Sequence, residues 1–268
     1  MSKTSSFFLI LLLAALPSFG ITSITGPLTH EYSVEPGKSY EDTIQVTNPD
    51  KAAQEVKVYQ TDYFFSADGA VSYGNPGGLT RSNALWITFS PAQVTVPAGE
   101  SVAIHFTIQV PSDQTLKGTY WSMIMVEPVL PGSAESGSFD PSKVTMGVKE
   151  KVRYAIQIVT SLGATGTGSL KFTRISLQAD NGKKYLIVDA ENTGERWLRA
   201  TLWTELYDAK GNYVGKFDGG KHRMFPGTGA RFKAELQGVT ETTYKALIVA
   251  DCGGDDVFGA SVNLVLRE

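Results

Sequence analysis

The residue types that perform covalent or metal chemistry are few and scattered in this chain. His30, His105 and His222 stand far apart, and none has a second histidine or a cysteine at metal-ligand spacing. Cys252 is the single cysteine, which excludes an intrachain disulfide and a thiolate zinc cluster. There is no Gly-x-Ser-x-Gly elbow, and Gly163-Ala164-Thr165-Gly166-Thr167-Gly168 fits neither the dinucleotide nor the phosphate-loop spacing. Asp251-Cys252-Gly253-Gly254-Asp255-Asp256 gathers carboxylates but lacks the alternating ligands and closing Glu of a calcium loop, so it reads as an acidic hairpin turn. No catalytic residue, metal or cofactor is singled out, and the chain reads as a non-enzyme.

A second constellation carries recognition chemistry instead. Val144, Met146, Val148, Val152, Tyr154, Ile156 and Ile158 share one parity, broken by Glu150; Thr145, Lys149, Lys151, Arg153 and Gln157 occupy the other. Such alternation places the two sets on opposite faces of an extended strand. The run is about 15 residues, against a usual five or six, and follows the flexible composition Pro131-Gly132-Ser133-Ala134-Glu135-Ser136-Gly137-Ser138. Two uses of it are open. Its apolar face lines a sheet core with the cations in water, or its start overruns the sheet and presents an unpaired apolar edge. Proteins suppress such edges, and strand addition to a partner requires one. On the second reading Val144, Met146, Val148, Tyr154 and Ile156 bind an extended protein client, with Lys151 and Arg153 orienting its acidic end.

The elements that must position this strand are themselves strands. Thr43-Ile44-Gln45-Val46-Thr47, Val56-Lys57-Val58-Tyr59 and the run from Val102 to Val110 alternate with period two. Turn chemistry separates them: Pro36-Gly37, Asn48-Pro49-Asp50, Asp68-Gly69, Asn181-Gly182, Lys210-Gly211-Asn212 and Pro226-Gly227. No stretch of helical length keeps an i, i+3, i+4 apolar stripe, so the chain reads as all-β.

Four features recur in order. An apolar strand enters an Asn-led turn at Asn48 and again at Asn192. A long alternating strand then ends in a tight turn, at Asp68-Gly69 and at Lys210-Gly211. A Pro turn opens another strand at Pro97 and at Pro226. Finally, Thr119-Tyr120-Trp121-Ser122-Met123-Ile124-Met125-Val126 matches Thr243-Tyr244-Lys245-Ala246-Leu247-Ile248-Val249-Ala250. This ordered recurrence predicts two related β-sandwiches, residues 21–160 and 161–268, joined by the small-residue linker that begins at Leu162-Gly163. Tyr120 and Tyr244 occupy the tyrosine-corner position at the start of the penultimate strand of each.

The 268 residues are 42% apolar and 19% charged, which excludes global disorder. A net charge of −3 argues against a nucleic-acid partner, whose phosphates require a basic field. Residues 1–20 have the layout of a cleavable signal peptide. Lys3 precedes an apolar run that stops at Pro17, too short for a spanning helix of roughly 20 residues, and Ser18-Phe19-Gly20 places small residues before the cut. The mature chain is therefore expected outside the cytoplasm, periplasmic or extracellular, with no membrane span. An exported chain that leaves Cys252 unpaired, after the apolar Ala246-Leu247-Ile248-Val249-Ala250, is expected to bury it.

Together these residues resemble the periplasmic chaperones of pilus and fimbrial assembly, which have two immunoglobulin-like domains. The matching pieces are Pro36-Gly37 before Ile44-Gln45-Val46-Thr47-Asn48, the approach Val94-Thr95-Val96-Pro97-Ala98-Gly99-Glu100-Ser101, and Lys149-Glu150-Lys151-Val152-Arg153-Tyr154. The resemblance implies that the closing strand of the first domain donates alternating apolar residues to a fibre or surface subunit that lacks a strand. It also implies that Arg153 is the basic anchor for the subunit's C-terminal carboxylate. No Lys or Arg lies between Ile21 and Val34 to supply a second anchor from the first strand. The first domain is also similar to extracellular modules of Gram-positive surface proteins. That likeness implies glycan or protein binding through loops, with Tyr63-Phe64-Phe65 and Trp86 as an aromatic platform.

Overall fold

The computed structural model describes residues 22–130, 151–240 and 243–266. The expected signal peptide, and Val144, Met146 and Val148, lie outside the described residues.

The first sandwich comprises β1 (Ser23–Thr25), β2 (Thr29–Val34), β3 (Ser39–Thr47), β4 (Gln54–Phe65), β5 (Val71–Gly74), β6 (Ile87–Ser90), β7 (Gln93–Val96), β8 (Ser101–Gln109), β9 (Thr119–Pro128) and β10 (Tyr154–Leu162). Its two sheets run β1-β3-β8-β6 and β2-β10-β9-β4, with β5 and β7 both paired to β4. The second sandwich comprises β11 (Leu170–Asp180), β12 (Lys183–Asn192), β13 (Leu198–Tyr207), β14 (Tyr213–Met224), β15 (Gly229–Glu235), β16 (Thr243–Asp251) and β17 (Val257–Val265). Its sheets run β11-β12-β15 and β14-β13-β16-β17. Both are immunoglobulin-like, and no described strand of one pairs with a strand of the other.

Period-two alternation builds both cores. Ile44, Val46, Ile104, Phe106 and Ile108 from one sheet meet Val56, Val58, Ile124, Val126, Ile156 and Ile158 from the other. In the second sandwich Leu186, Val188 and Phe232 meet Leu202, Leu206, Ala246 and Ile248. His105 points outward, as the phase of its strand requires.

The internal repeat is also present in atomic detail. Asn48 Nδ2 donates to Ala52 O (2.8 Å) and Val96 O (3.0 Å), and Asp50 N–H donates to Asn48 Oδ1 (3.0 Å). Asn192 Nδ2 donates to Arg196 O (2.7 Å) and Met224 O (3.1 Å), and Gly194 N–H donates to Asn192 Oδ1 (2.9 Å). Each asparagine is fully buried and holds the carbonyl four residues on, the amide two residues on, and the strand end before the Pro turn. A buried amide with all its partners in place fixes both connections at once.

The glycine-rich connection between the sandwiches is packed. A Cβ on Gly166 would lie 2.9 Å from Gly118 Cα, and one on Gly118 would lie 2.0 Å from Glu195 O. Glu195 N–H donates to Thr167 O (2.8 Å) and Thr119 N–H to Glu195 O (2.8 Å). Glycine here permits close backbone approach rather than supplying a loose tether. Above this seam Trp121 stacks on Phe225 at 4.8 Å and 18°, with Val159, Phe65 and Trp197 packed around them.

Candidate functional site

The closing strand of the first sandwich is built differently from the expectation of one long strand over 144–158. In the described residues it begins at Tyr154 and continues past Ile158 to Leu162, so Lys151 and Arg153 precede it. It is antiparallel to β9 along its length, from Tyr154 opposite Val126 to Ser161 opposite Thr119. Its other edge is covered by β2, which runs parallel to it, but only from Gln157 opposite Thr29 to Leu162 opposite Val34. Gln157 N–H donates to Leu28 O (2.8 Å), and among the described residues no strand pairs with residues 154–156 on that side. Leu28, 48% exposed, marks the point where the cover ends.

Just outside this open edge lies a charged cluster on the outer face of the sheet. The register places Glu127 of β9 beside Lys57 of β4, and the chain entering β10 brings Lys151 and Arg153 to its other side. The Arg153 Nε lies 2.8 Å from Glu127 Oε2, the Lys57 Nζ 3.7 Å from Oε1, and Lys151 also pairs with Oε1. Tyr59 Oη donates to Oε2 at 2.8 Å. The Glu127 side chain is only 5% exposed, whereas Arg153 is 51% exposed. Burial pushes the Glu127 carboxyl upward, but the bonds from Lys151 and Tyr59 and the charges of Arg153 and Lys151 outweigh it and bring it down to about 2. Three cations, Lys57, Lys151 and Arg153, surround this one carboxylate.

This placement corrects part of the sequence-based site. Ile156 is wholly buried in the sandwich core, because its parity faces the opposite sheet, so its side chain lines the core. Tyr154 is half-buried and packs on the same core. Lys151 and Arg153 are brought together, but by Glu127, which sequence reasoning missed along with Lys57 and Tyr59. The signal was a lone carboxylate on Thr119–Pro128, a strand otherwise without charge. The aromatic platform is dispersed: Trp86 packs on Tyr120 at 4.7 Å, and Phe65 joins the cluster between the sandwiches.

The strand that covers β10 is itself held from two directions. Tyr32 Oη donates to Asp42 Oδ2 (2.6 Å), with His30 Nδ1 3.1 Å from the same oxygen, which ties β2 to β3. Burial and then the Asp42 bond push the Tyr32 phenol up. Glu31 pairs with Arg223 of β14, whose guanidinium lies 4.1 Å from the Trp197 ring centre. Cys252 is half-buried at the β16–β17 turn, where burial, then Asp256 and Asp251, push its thiol up to about 11. The shift keeps Cys252 in its thiol form at neutral pH.

Residues 34–125 match the model of the Fn3-like domain. No curated protein matches the chain. Among solved structures the likeness is to fimbrial and pilus chaperones. One is a chain of the chaperone–tip adhesin complex of CFA/I fimbriae biogenesis, at 17% identity over 92% of this chain and 99% of that one, with a TM-score of 0.49. Another is the class 5 fimbriae chaperone CfaA, at 18% identity over 92% and 99%, with a TM-score of 0.47. A third is from the CsuC–CsuE chaperone–tip adhesion subunit complex of Acinetobacter baumannii, at 15% identity over 92% and 99%, with a TM-score of 0.43.

Proposed function

We propose that this protein is an exported, non-enzymatic chaperone that holds a protein client, such as a fibre or surface subunit, by strand addition to the first sandwich. The observation that supports this reading most directly is the edge of β10 at residues 154–156, which no described strand covers, flanked by the end of β2 and by the Glu127 cluster. Main-chain groups along a bare edge bind any extended strand. Arg153, half in water and already oriented by Glu127, then attracts a client's acidic end. Glu127 holds the arginine in one geometry, which lowers the entropy cost of a second carboxylate contact.

The test is site-specific crosslinking in the exported compartment, using the Cys252→Ala background. Ala155→Cys lies on the open edge, and Ser161→Cys lies where β2 covers the strand. A discrete conjugate from position 155, reduced by Arg153→Ala and missing from position 161, is the expected result. Equal conjugates at both positions, or none at 155, would overturn the reading.

A further inference from the structure

A second edge of interest lies on the second sandwich, and it is chemically unlike that of β10. β17 is nine residues long and pairs with β16 in unbroken register, from Val257 opposite Asp251 to Val265 opposite Thr243. It is the end strand of its sheet, with nothing on its far side among the described residues. Natural edge strands are blunted by charge, proline, bulges or brevity. The other described edges follow that rule. β14 carries Lys216, Asp218 and Lys221, with two register shifts against β13. β11 carries Lys171 and Arg174 around a bulge, β15 carries Arg231 and Lys233, and β2 carries Glu31. β1, β5, β6 and β7 have three or four residues each. β17, Val-Phe-Gly-Ala-Ser-Val-Asn-Leu-Val, has no charge, no proline and no bulge.

Its sequence is also symmetric about Ser261. Valines stand four residues to either side, at Val257 and Val265, and are 54% and 49% exposed. Phe258 mirrors Leu264, Gly259 mirrors Asn263, and Ala260 mirrors Val262. Antiparallel pairing of this strand with itself about Ser261 sets apolar against apolar, small against small, and no charge against any charge. The hairpin bond from Cys252 N–H to Asp256 O (2.9 Å) sets the alternation along the strand. Continued through the unbroken register, it turns the main-chain groups of the odd-numbered residues, Ser261 included, away from β16. Two copies of Ser261 placed opposite each other therefore exchange both of their hydrogen bonds.

We propose that two copies of this chain associate through β17, across a two-fold axis at Ser261, joining their four-stranded sheets into one continuous sheet. A closed isologous contact satisfies both edges and leaves none for further growth. A nine-residue strand buries an area at the small end of specific interfaces, so the dimer is expected to be weak and to dissociate on dilution.

Disulfide trapping in the full exported chain, carrying Cys252→Ala, reads the register. Ser261→Cys is expected to oxidise to a covalent dimer. Val257→Cys and Val265→Cys alone should not, and the two substitutions in one chain should. Sedimentation equilibrium supplies the second measurement: self-association in the Cys252→Ala chain, weakened at least about 10-fold by Ser261→Lys, which sets like charges face to face. Position 261 is exposed, so that variant keeps its core. A monomer at all concentrations, or disulfides forming equally well at 257, 261 and 265 alone, would refute the dimer. Neither outcome bears on residues 154–156.

Discussion

The two sandwiches share a plan and differ in how they finish it. In both, the closing strand lies beside the penultimate one, β10 on β9 and β17 on β16. The difference begins at the other end of each domain. The leading chain of the first sandwich splits: β1 joins β3, then Gly26-Pro27-Leu28 carries the backbone across so that β2 joins β10 in the opposite sheet. Pro27 cannot donate to a ladder, and Gly26 has a φ of 115°, so the crossing falls where the sequence permits it. The leading strand of the second sandwich, β11, stays on β12 along its eleven residues, so no described strand covers β17. Whether the leading strand changes sheets decides whether the closing strand has an open edge, and how much of it.

The largest test of this comparison asks whether the cover on β10 is private to the first sandwich. Arg223 holds Glu31 of β2 while lying over Trp197, next to the stacked Trp121 and Phe225. Phe225→Ala removes a ring that is 1% exposed and is expected to cost about 3–5 kcal/mol. Denaturant unfolding followed by tryptophan fluorescence should then separate into two transitions, one for each sandwich. A single transition with an unchanged midpoint would mean that the seam contributes nothing to either.

Next in size is Glu127, whose counterpart by the repeat, Asp251, accepts from Gly253 N–H (2.8 Å) in its hairpin, whereas Glu127 gathers cations. Glu127→Gln keeps the shape and leaves three cations without their carboxylate. Breaking a buried pair costs about 3–5 kcal/mol, and the partial exposure of the cations reduces this to about 2 kcal/mol. The folded carboxyl, at about 2, lies below its ordinary value of 4.5. Its contribution is therefore complete above pH 4.5 and is lost as the pH falls toward 2. Stability measured across that window should fall more steeply in the native chain than in Glu127→Gln.

How much of this was legible in the sequence follows from the range of each interaction. Alternation and turn residues are local, so the all-β class, the strand phases and the paired asparagines could be read directly. Asn48 and Asn192 were visible as turn residues, although their long-range bonds to Val96 and Met224 were not. The role of Ile156 stayed open between core and client, because alternation separates two faces without telling which one is covered. Sheet register brings Lys57 to Glu127 and the chain entering β10 brings Arg153 there, connecting residues about 70 and 26 positions apart, beyond the reach of any spacing argument. The linker glycines are legible only as a small-residue connection, since composition does not distinguish a free tether from a close approach.

The asparagines offer a test in which the two sandwiches should agree. Asn48→Ala and Asn192→Ala each strip a buried amide from carbonyls that then lack a donor, at about 1–3 kcal/mol. Asn→Asp at either position should cost at least as much, because it turns a donor toward those carbonyls into an acceptor. Thermal unfolding of the four variants checks this, and a clear inequality between the alanine pair would mean the repeat is one of outline only.

The smallest effect distinguishes the sandwiches at a position where the sequence makes them look alike. Tyr244 is 5% exposed, and its hydroxyl lies 2.9 Å from Thr240 Oγ1, which ties the loop before β16 to the core. Tyr120 begins the matching strand, yet its ring is taken up by Trp86 at 4.7 Å and the Arg81 guanidinium at 5.1 Å. Arg81 also pairs with Glu195 at 3.5 Å, so Tyr120 serves the seam between the sandwiches. Removing only the hydroxyl separates these roles. Tyr244→Phe deletes a buried hydrogen bond and should cost about 1 kcal/mol, whereas Tyr120→Phe keeps the ring contacts and should be nearly neutral. Denaturant midpoints at constant slope measure the difference. Equal losses at the two positions would show that Tyr120 also anchors its loop through its hydroxyl, and the two corners would then be equivalent.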